Sequence, residues 1–261
     1  MTPAPPEHVL ELTTAEYLAV WSRLELGSVH WNLQVPGGPE RTVQDWLDEQ
    51  RRTWERLKRR GLVSSGELAP DLADSLRLIA RPAAELTARL FLAERTCTVV
   101  GSARGEYAAI AELGKNGLRL RRTRSSALPA AVAEIIGERR PGSGTAVSVP
   151  ARLLPEHRGL PGVVVERALV SGGVRTEDAR GFRSMLRGPK LGGGKFGAAR
   201  YDLRGTRRTA EFVVTYFDTE RGGYTIEQKR GPDRSPWYTL APAHRPQLER
   251  RLAELLDSIR M

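Results

Sequence analysis

Two stretches of this chain repeat one another at a constant spacing, and that repeat restricts the fold more than any other feature. At an offset of 117, Gly105 falls on Gly222, Tyr107 on Tyr224, Leu120 on Trp237 and Pro129 on Pro246. In both copies Gly-x-Tyr starts a strand, a turn and a last strand follow, and a proline opens a terminal apolar helix. The shared order of elements makes each half the same supersecondary unit. Strand meanders with helices on their flanks point to an α+β fold around a mostly antiparallel sheet. We expect one quasi-twofold domain over residues 1–261, with halves 1–142 and 143–261.

Local signals fill in the elements. Val9 to Leu12 alternates as a short strand and runs into Thr13-Thr14-Ala15-Glu16, a capping box that opens a helix carrying Tyr17, Leu18, Trp21 and Leu24 on one face. A second helix starts at Thr42, and its stripe of Val43, Trp46, Leu47, Gln50, Trp54 and Leu57 places Trp46 and Trp54 in the core. A third begins at Pro70 and stops before Pro82. From Leu86 the period changes to two. Strands follow to Thr123, including a hairpin around Gly114-Lys115-Asn116-Gly117, and a helix runs from Leu128 to Ile136. In the second half a strand at Thr145 to Val149 precedes a helical region up to about Leu186. Lys190 to Gly194 reads as a flexible glycine loop beside a sheet edge. Strands at Phe196 to Leu203, Thr209 to Phe217, Gly223 to Lys229 and Trp237 to Leu240 precede a last helix with Leu248, Leu252, Leu255, Leu256 and Ile259.

The residues that carry chemistry in enzymes do not assemble here. His8, His30, His157 and His244 are scattered, and neither HExxH, paired cysteines nor Gly-x-Ser-x-Gly occurs. We therefore expect no enzyme, no metal site and no cofactor. Cys97 lies in an alternating strand and reads as a buried, inert thiol. Gly192-Gly193-Gly194-Lys195-Phe196-Gly197 matches G-x-G-x-x-G, but the fingerprint needs a strand before it and a helix after it. Here Arg187-Gly188-Pro189-Lys190 precedes and a strand follows. Phe196 also stands where a P-loop needs Ser or Thr. Phe217 to Tyr224 places acids near Arg221, and reads as a hairpin turn whose Asp218 and Thr219 bond local backbone.

Cellular location follows from similar exclusions. Residues 1–11 contain neither a basic residue nor an apolar stretch, so no signal peptide is expected. The apolar runs are too short to span a bilayer. A single cysteine suits a reducing compartment, and the cytoplasm is the expected location. The net charge of +10 is unevenly spread. Acids dominate the first fifty residues, whereas basic residues dominate Gly172 to Ala210. A nucleic-acid-binding surface of Arg180, Arg183, Arg187, Arg200, Arg204, Arg207 and Arg208 is the alternative function.

Five segments together resemble one family. Leu12-Thr13-Thr14-Ala15-Glu16-Tyr17, Leu57 to Leu62, Ala146-Val147-Ser148-Val149-Pro150, Phe217 to Tyr224 and Trp237 to Ala243 are similar, in order and spacing, to the EspG family. These are the cytosolic chaperones of ESX (type VII) secretion in actinobacteria. The family's Asp-Thr-x-x-Gly-Arg-Tyr form is broken here by Gly223. The resemblance implies a quasi-twofold fold with a central sheet and two flanking helical groups. It also implies binding of the exposed helical tip of PPE proteins in PE–PPE heterodimers, which keeps them soluble and delivers them for export. The chain departs from the acidic balance of the family, which leaves two partners open, a PPE-like substrate with an acidic tip or a different protein. On the second half, the expected partner contacts are Lys195 and Phe196 in the Gly192 to Phe196 loop, Tyr201, Phe212, Val214, Tyr216 and the last helix.

Overall fold

The computed structural model of the chain describes residues 9–35, 42–93, 95–154, 162–231 and 234–260. Strand β1 (Leu10–Leu12) enters helix α1 (Thr14–Arg23) through the capping box, with the Thr13 N–H donating to Glu16 at 2.9 Å and the Glu16 N–H donating back to Thr13 Oγ1 at 3.2 Å. Helix α2 (Val43–Arg59), a small hairpin of β2 (Val63–Ser64) and β3 (Glu67–Leu68), and α3 (Pro70–Ala80) follow. The meander β4 (Ala84–Leu92), β5 (Arg95–Arg104), β6 (Tyr107–Gly114) and β7 (Gly117–Arg124) then leads to α4 (Leu128–Ala133). The second half runs β8 (Val147–Pro150), α5 (Gly162–Ser171), α6 (Thr176–Leu186), β9 (Gly192–Tyr201), β10 (Arg207–Thr209), β11 (Val214–Thr219), β12 (Gly222–Arg230), β13 (Pro236–Pro242) and α7 (Arg245–Asp257).

One antiparallel sheet joins the halves in the order β1-β7-β6-β5-β4-β9-β11-β12-β13-β8, with β10 paired to β9. The order is symmetric about the β4–β9 pair. Thus β5 corresponds to β11, β6 to β12, β7 to β13, β1 to β8 and α4 to α7.

Alternation along the strands assigns the helices to faces. Val99 packs in one core with Leu128 and Val132 of α4 and Leu248 and Leu252 of α7, whereas its neighbour Val100 packs with Tyr17, Leu57, Leu72 and Leu76 of α1 to α3. Likewise Tyr216 faces α7, and Phe217 faces Leu169 of α5 and Phe182 and Met185 of α6. So α4 and α7 cover one face, and two helical groups cover the two ends of the other.

Three expectations need correction. The glycine run at 192–194 is not a loop at a sheet edge. It is the start of β9, buried in the middle of the sheet, and a Cβ on Gly194 would sit 2.4 Å from Leu90 Cδ2 and 2.5 Å from the Arg89 carbonyl oxygen. Glycine is there because the neighbouring chains approach too closely for a side chain. Thr209 to Phe217 is not one strand, since the chain breaks between β10 and β11 at residues 210–213. Trp46 is 53% exposed rather than core, because burial along α2 begins only at Thr53.

Candidate partner-binding surface

Strand register decides which of the six expected contact residues reach solvent. Phe196 pairs with Val214 and with Ala88, and Tyr216 lies two residues further along the same face. Phe196, Val214 and Tyr216 are 0%, 3% and 1% exposed, packed in the same core as Leu248 and Leu252 of α7. They are core residues, and the expectation that they present a binding face is corrected: the last helix is their partner. The Tyr216 hydroxyl donates to Asp218 Oδ1 at 2.5 Å, and burial together with that carboxylate holds its phenol well above the usual range. Asp218 also receives Arg139 at 3.0 Å, so it bonds side chains rather than the local turn. Thr219 does bond the turn, accepting the Arg221 N–H at 3.1 Å.

Phe212 lies in the break before β11, half-buried, in a groove of about 330 Å³ that Lys229, Arg251 and Leu255 also line. Lys195 alternates to the opposite face, where it is exposed and pairs in register with Arg89 and Thr215. Tyr201 shares that face, but its hydroxyl is used internally, donating to Glu85 at 3.0 Å. The six residues are therefore divided between two faces of the sheet.

Between the two helical groups, a strip of β4 and β9 is left open. Phe91 is 46% exposed there, and Arg89 and Lys195 are exposed with it. One end of the strip is closed. Asn32 Nδ2 donates to the carbonyls of Ala88 and Val99 at 3.1 and 3.2 Å and holds the 30–32 segment on the sheet. Beside it the fully buried Glu85 carboxylate accepts Arg207 at 2.8 Å and Tyr201, with His30 Nε2 at 3.4 Å. Burial alone would raise the Glu85 pKa, yet His30 and Arg207 outweigh it and hold the carboxyl below its ordinary range.

Much of the basic charge in the second half is neutralised within the fold. Arg180 and Arg183 pair with Glu166 at 3.5 and 2.6 Å, Arg200 with Asp257 at 3.2 Å and Arg207 with Glu85. Of the seven arginines of the nucleic-acid alternative, four are thus committed to carboxylates, which leaves little clustered charge for phosphates. Among the described residues, no three His, Cys, Asp or Glu side chains gather as a metal site, and no helix is long and apolar enough to cross a membrane. Cys97 is buried, and burial pushes its thiol up to about 11.

A family model described as the EspG family matches residues 13–254. This chain belongs to the EspG family. Among solved structures, the Mycobacterium tuberculosis type VII secretion system chaperone EspG5, determined in complex with the PE25–PPE41 dimer, shares its fold at a TM-score of 0.74. The match covers 97% of each chain at 15% sequence identity. No curated protein matches this EspG-family chain in sequence.

Sequence reasoning missed Arg89 and Phe91 as strip residues. The alternation of Leu86, Ala88 and Leu90 already placed Arg89 and Phe91 on the second face, but no local pattern shows that helices leave it bare. Gly223, which breaks the family's turn pattern, also has a local reason. A Cβ there would meet the Tyr216 hydroxyl at 2.3 Å and the Ala243 carbonyl oxygen at 2.6 Å.

Proposed function

We propose that this EspG-family protein is a cytoplasmic chaperone of type VII secretion substrates of the PE–PPE kind. It binds the helical tip of the PPE-like subunit, keeps the heterodimer soluble and directs it to the secretion machinery. The observation that carries this reading is family membership over residues 13–254, on a fold shared with a protein solved in complex with a PE–PPE dimer. An exposed apolar helix tip aggregates unless it is covered. The open strip offers Phe91 for apolar burial, flanked by Arg89 and Lys195 for acidic groups. Binding followed by handover requires no turnover, so the protein works without catalysis.

Of the residues expected from sequence, Lys195 is the direct contact on this strip. Phe196, Val214 and Tyr216 support it from beneath, Tyr201 fixes its closed end, and Phe212 lies on the α7 side.

The test is co-expression with PE–PPE pairs from the same genome, followed by capture on the tagged chaperone with nuclease present. Phe91→Asp and Lys195→Glu should each reduce capture by roughly tenfold, about 1.4 kcal/mol, with the melting temperature unchanged. Capture unaffected by both changes would place the contact off the strip. Failure of the unaltered protein to capture any PE–PPE pair, with nucleic acid recovered instead, would overturn the function.

A further inference from the structure

The two halves differ at one corresponding place, and the difference exposes a second site. In the C-terminal half, Tyr224 is fully buried and stacks on Phe217 with ring centroids 5.5 Å apart. The segment before β8 lies over it. The Tyr224 hydroxyl donates to the Ser143 carbonyl at 3.2 Å, and Gly142 is so close that a Cβ would fall 2.0 Å from the ring. Pro141 bridges Gly223 as a strand would, and the Gly223 N–H donates to the Arg140 carbonyl at 2.8 Å. Arg221 completes the arrangement by donating to Ser143 Oγ at 3.1 Å and to Ser184 Oγ at 2.9 Å near the end of α6.

The repeat carries Tyr224 to Tyr107 and Arg221 to Arg104, and the order of elements matches α6 before β9 with α3 before β4. These frame an open cavity of about 610 Å³ lined by Arg77, Leu78, Arg81, Arg104, Tyr107 and Arg122, and Tyr107 is 61% exposed in it. Among the described residues, no segment takes the place of 140–143.

Its charge defines what fits. Arg77 pairs with Asp74, a lining residue itself, and Arg122 pairs with Asp71 while its guanidinium lies 6.0 Å from the centre of the Tyr107 ring. Arg81 and Arg104 are exposed and have no carboxylate partner among the described residues. Two uncommitted guanidinium groups beside an open aromatic ring suit a chain bearing carboxylates and an apolar side chain. The corresponding segment in the other half is extended and pairs with strand backbone, which sets the conformation.

We propose that this cavity docks an extended acidic segment of a protein partner. The stretch of this chain that corresponds to 140–143, before β1, lies outside the described residues, and positions 1–8 hold a single acid, Glu7. One acid does not match two guanidinium groups, so residues 1–8 are a poor fit and the occupant we infer is a partner's segment. The site shares no residue with the open strip, and the inference does not rest on the chaperone reading.

Fluorescence anisotropy with a labelled Asp-Asp-Leu-Glu-Asp-Leu-Glu peptide and the full chain at low ionic strength tests it. Saturable binding is expected. Arg81→Glu combined with Arg104→Glu should weaken it by at least about tenfold, and Tyr107→Ala should weaken it independently. Arg187→Glu with Arg208→Glu, on exposed arginines that do not line the cavity, should leave it unchanged. Absence of saturable binding, or equal loss in that control, would overturn the proposal. So would a peptide with the sequence of residues 1–8, which carries one acid, binding as tightly as the acidic one.

Discussion

Glu85 sits on β4 with its carboxylate fully buried, and its partners come from distant parts of the chain: His30 from the segment after α1, Tyr201 from β9 and Arg207 from β10. A buried carboxylate is tolerated because these groups satisfy it, and removing it strands them. Glu85→Ala should therefore destabilise the protein by about 3 kcal/mol, read by chemical denaturation at neutral pH. The pH dependence follows from the depressed pKa. Its contribution is complete above the ordinary carboxylate value of about 4.3 and disappears as pH falls through the lower folded value. Glu85→Gln should thus show a shallower loss of stability below about pH 4.3 than the unaltered protein. An unchanged acid profile would mean that the cluster contributes nothing to acid sensitivity. In the sequence, Tyr201 looked like a surface aromatic. Nothing local to it shows that a carboxylate 116 positions away claims its hydroxyl.

At the scale of elements, β9 holds the two halves together, and its glycines decide how closely. Gly194→Val should cost at least about 2 kcal/mol, because its Cβ would meet the Arg89 carbonyl oxygen as well as the Leu90 side chain. The measurement is the denaturation midpoint, and a value equal to that of the unaltered protein would show that the strands can separate without penalty. A run of three glycines reads locally as a flexible connection, and this is where sequence reasoning failed. The constraint on those positions comes from strands far away in the chain. The same limit explains Phe196, Val214 and Tyr216. Their alternation was legible, and so was the apolar last helix, but not that the helix would lie on their face. Helix α2 shows the converse. Its apolar stripe was plain in the sequence, yet only the part from Thr53 onward meets the body of the protein, and Trp46 stays in solvent. The capping box of α1, the hairpin at Lys115-Asn116 and the proline start of α3 were legible because each depends only on near neighbours.

For the whole molecule, the repeat at 117 made legible the match of β6, β7 and α4 with β12, β13 and α7, whereas the order of strands across the whole sheet was not local to any segment. The two helical groups sit on separate cores but share one continuous sheet. We therefore expect one unfolding transition by calorimetry. Leu76→Ala in the first group and Phe182→Ala in the second should lower that same transition, each by about 2–5 kcal/mol. Two resolved transitions, each responding to one of the substitutions, would show that the halves are independent units.

The antiparallel pairing of β4 with β9 also governs what a single half can do. Cut between the repeats, either half would end in a long unpaired strand with free N–H and C=O groups along its edge. Two copies of one half can satisfy those groups by pairing about a twofold axis, which is how a symmetric homodimer closes. The tandem chain converts that assembly from one governed by protein concentration into one fixed by a covalent tether. It also frees the two copies to diverge, so that one keeps its tyrosine covered by its own connecting segment while the other leaves the same tyrosine bare.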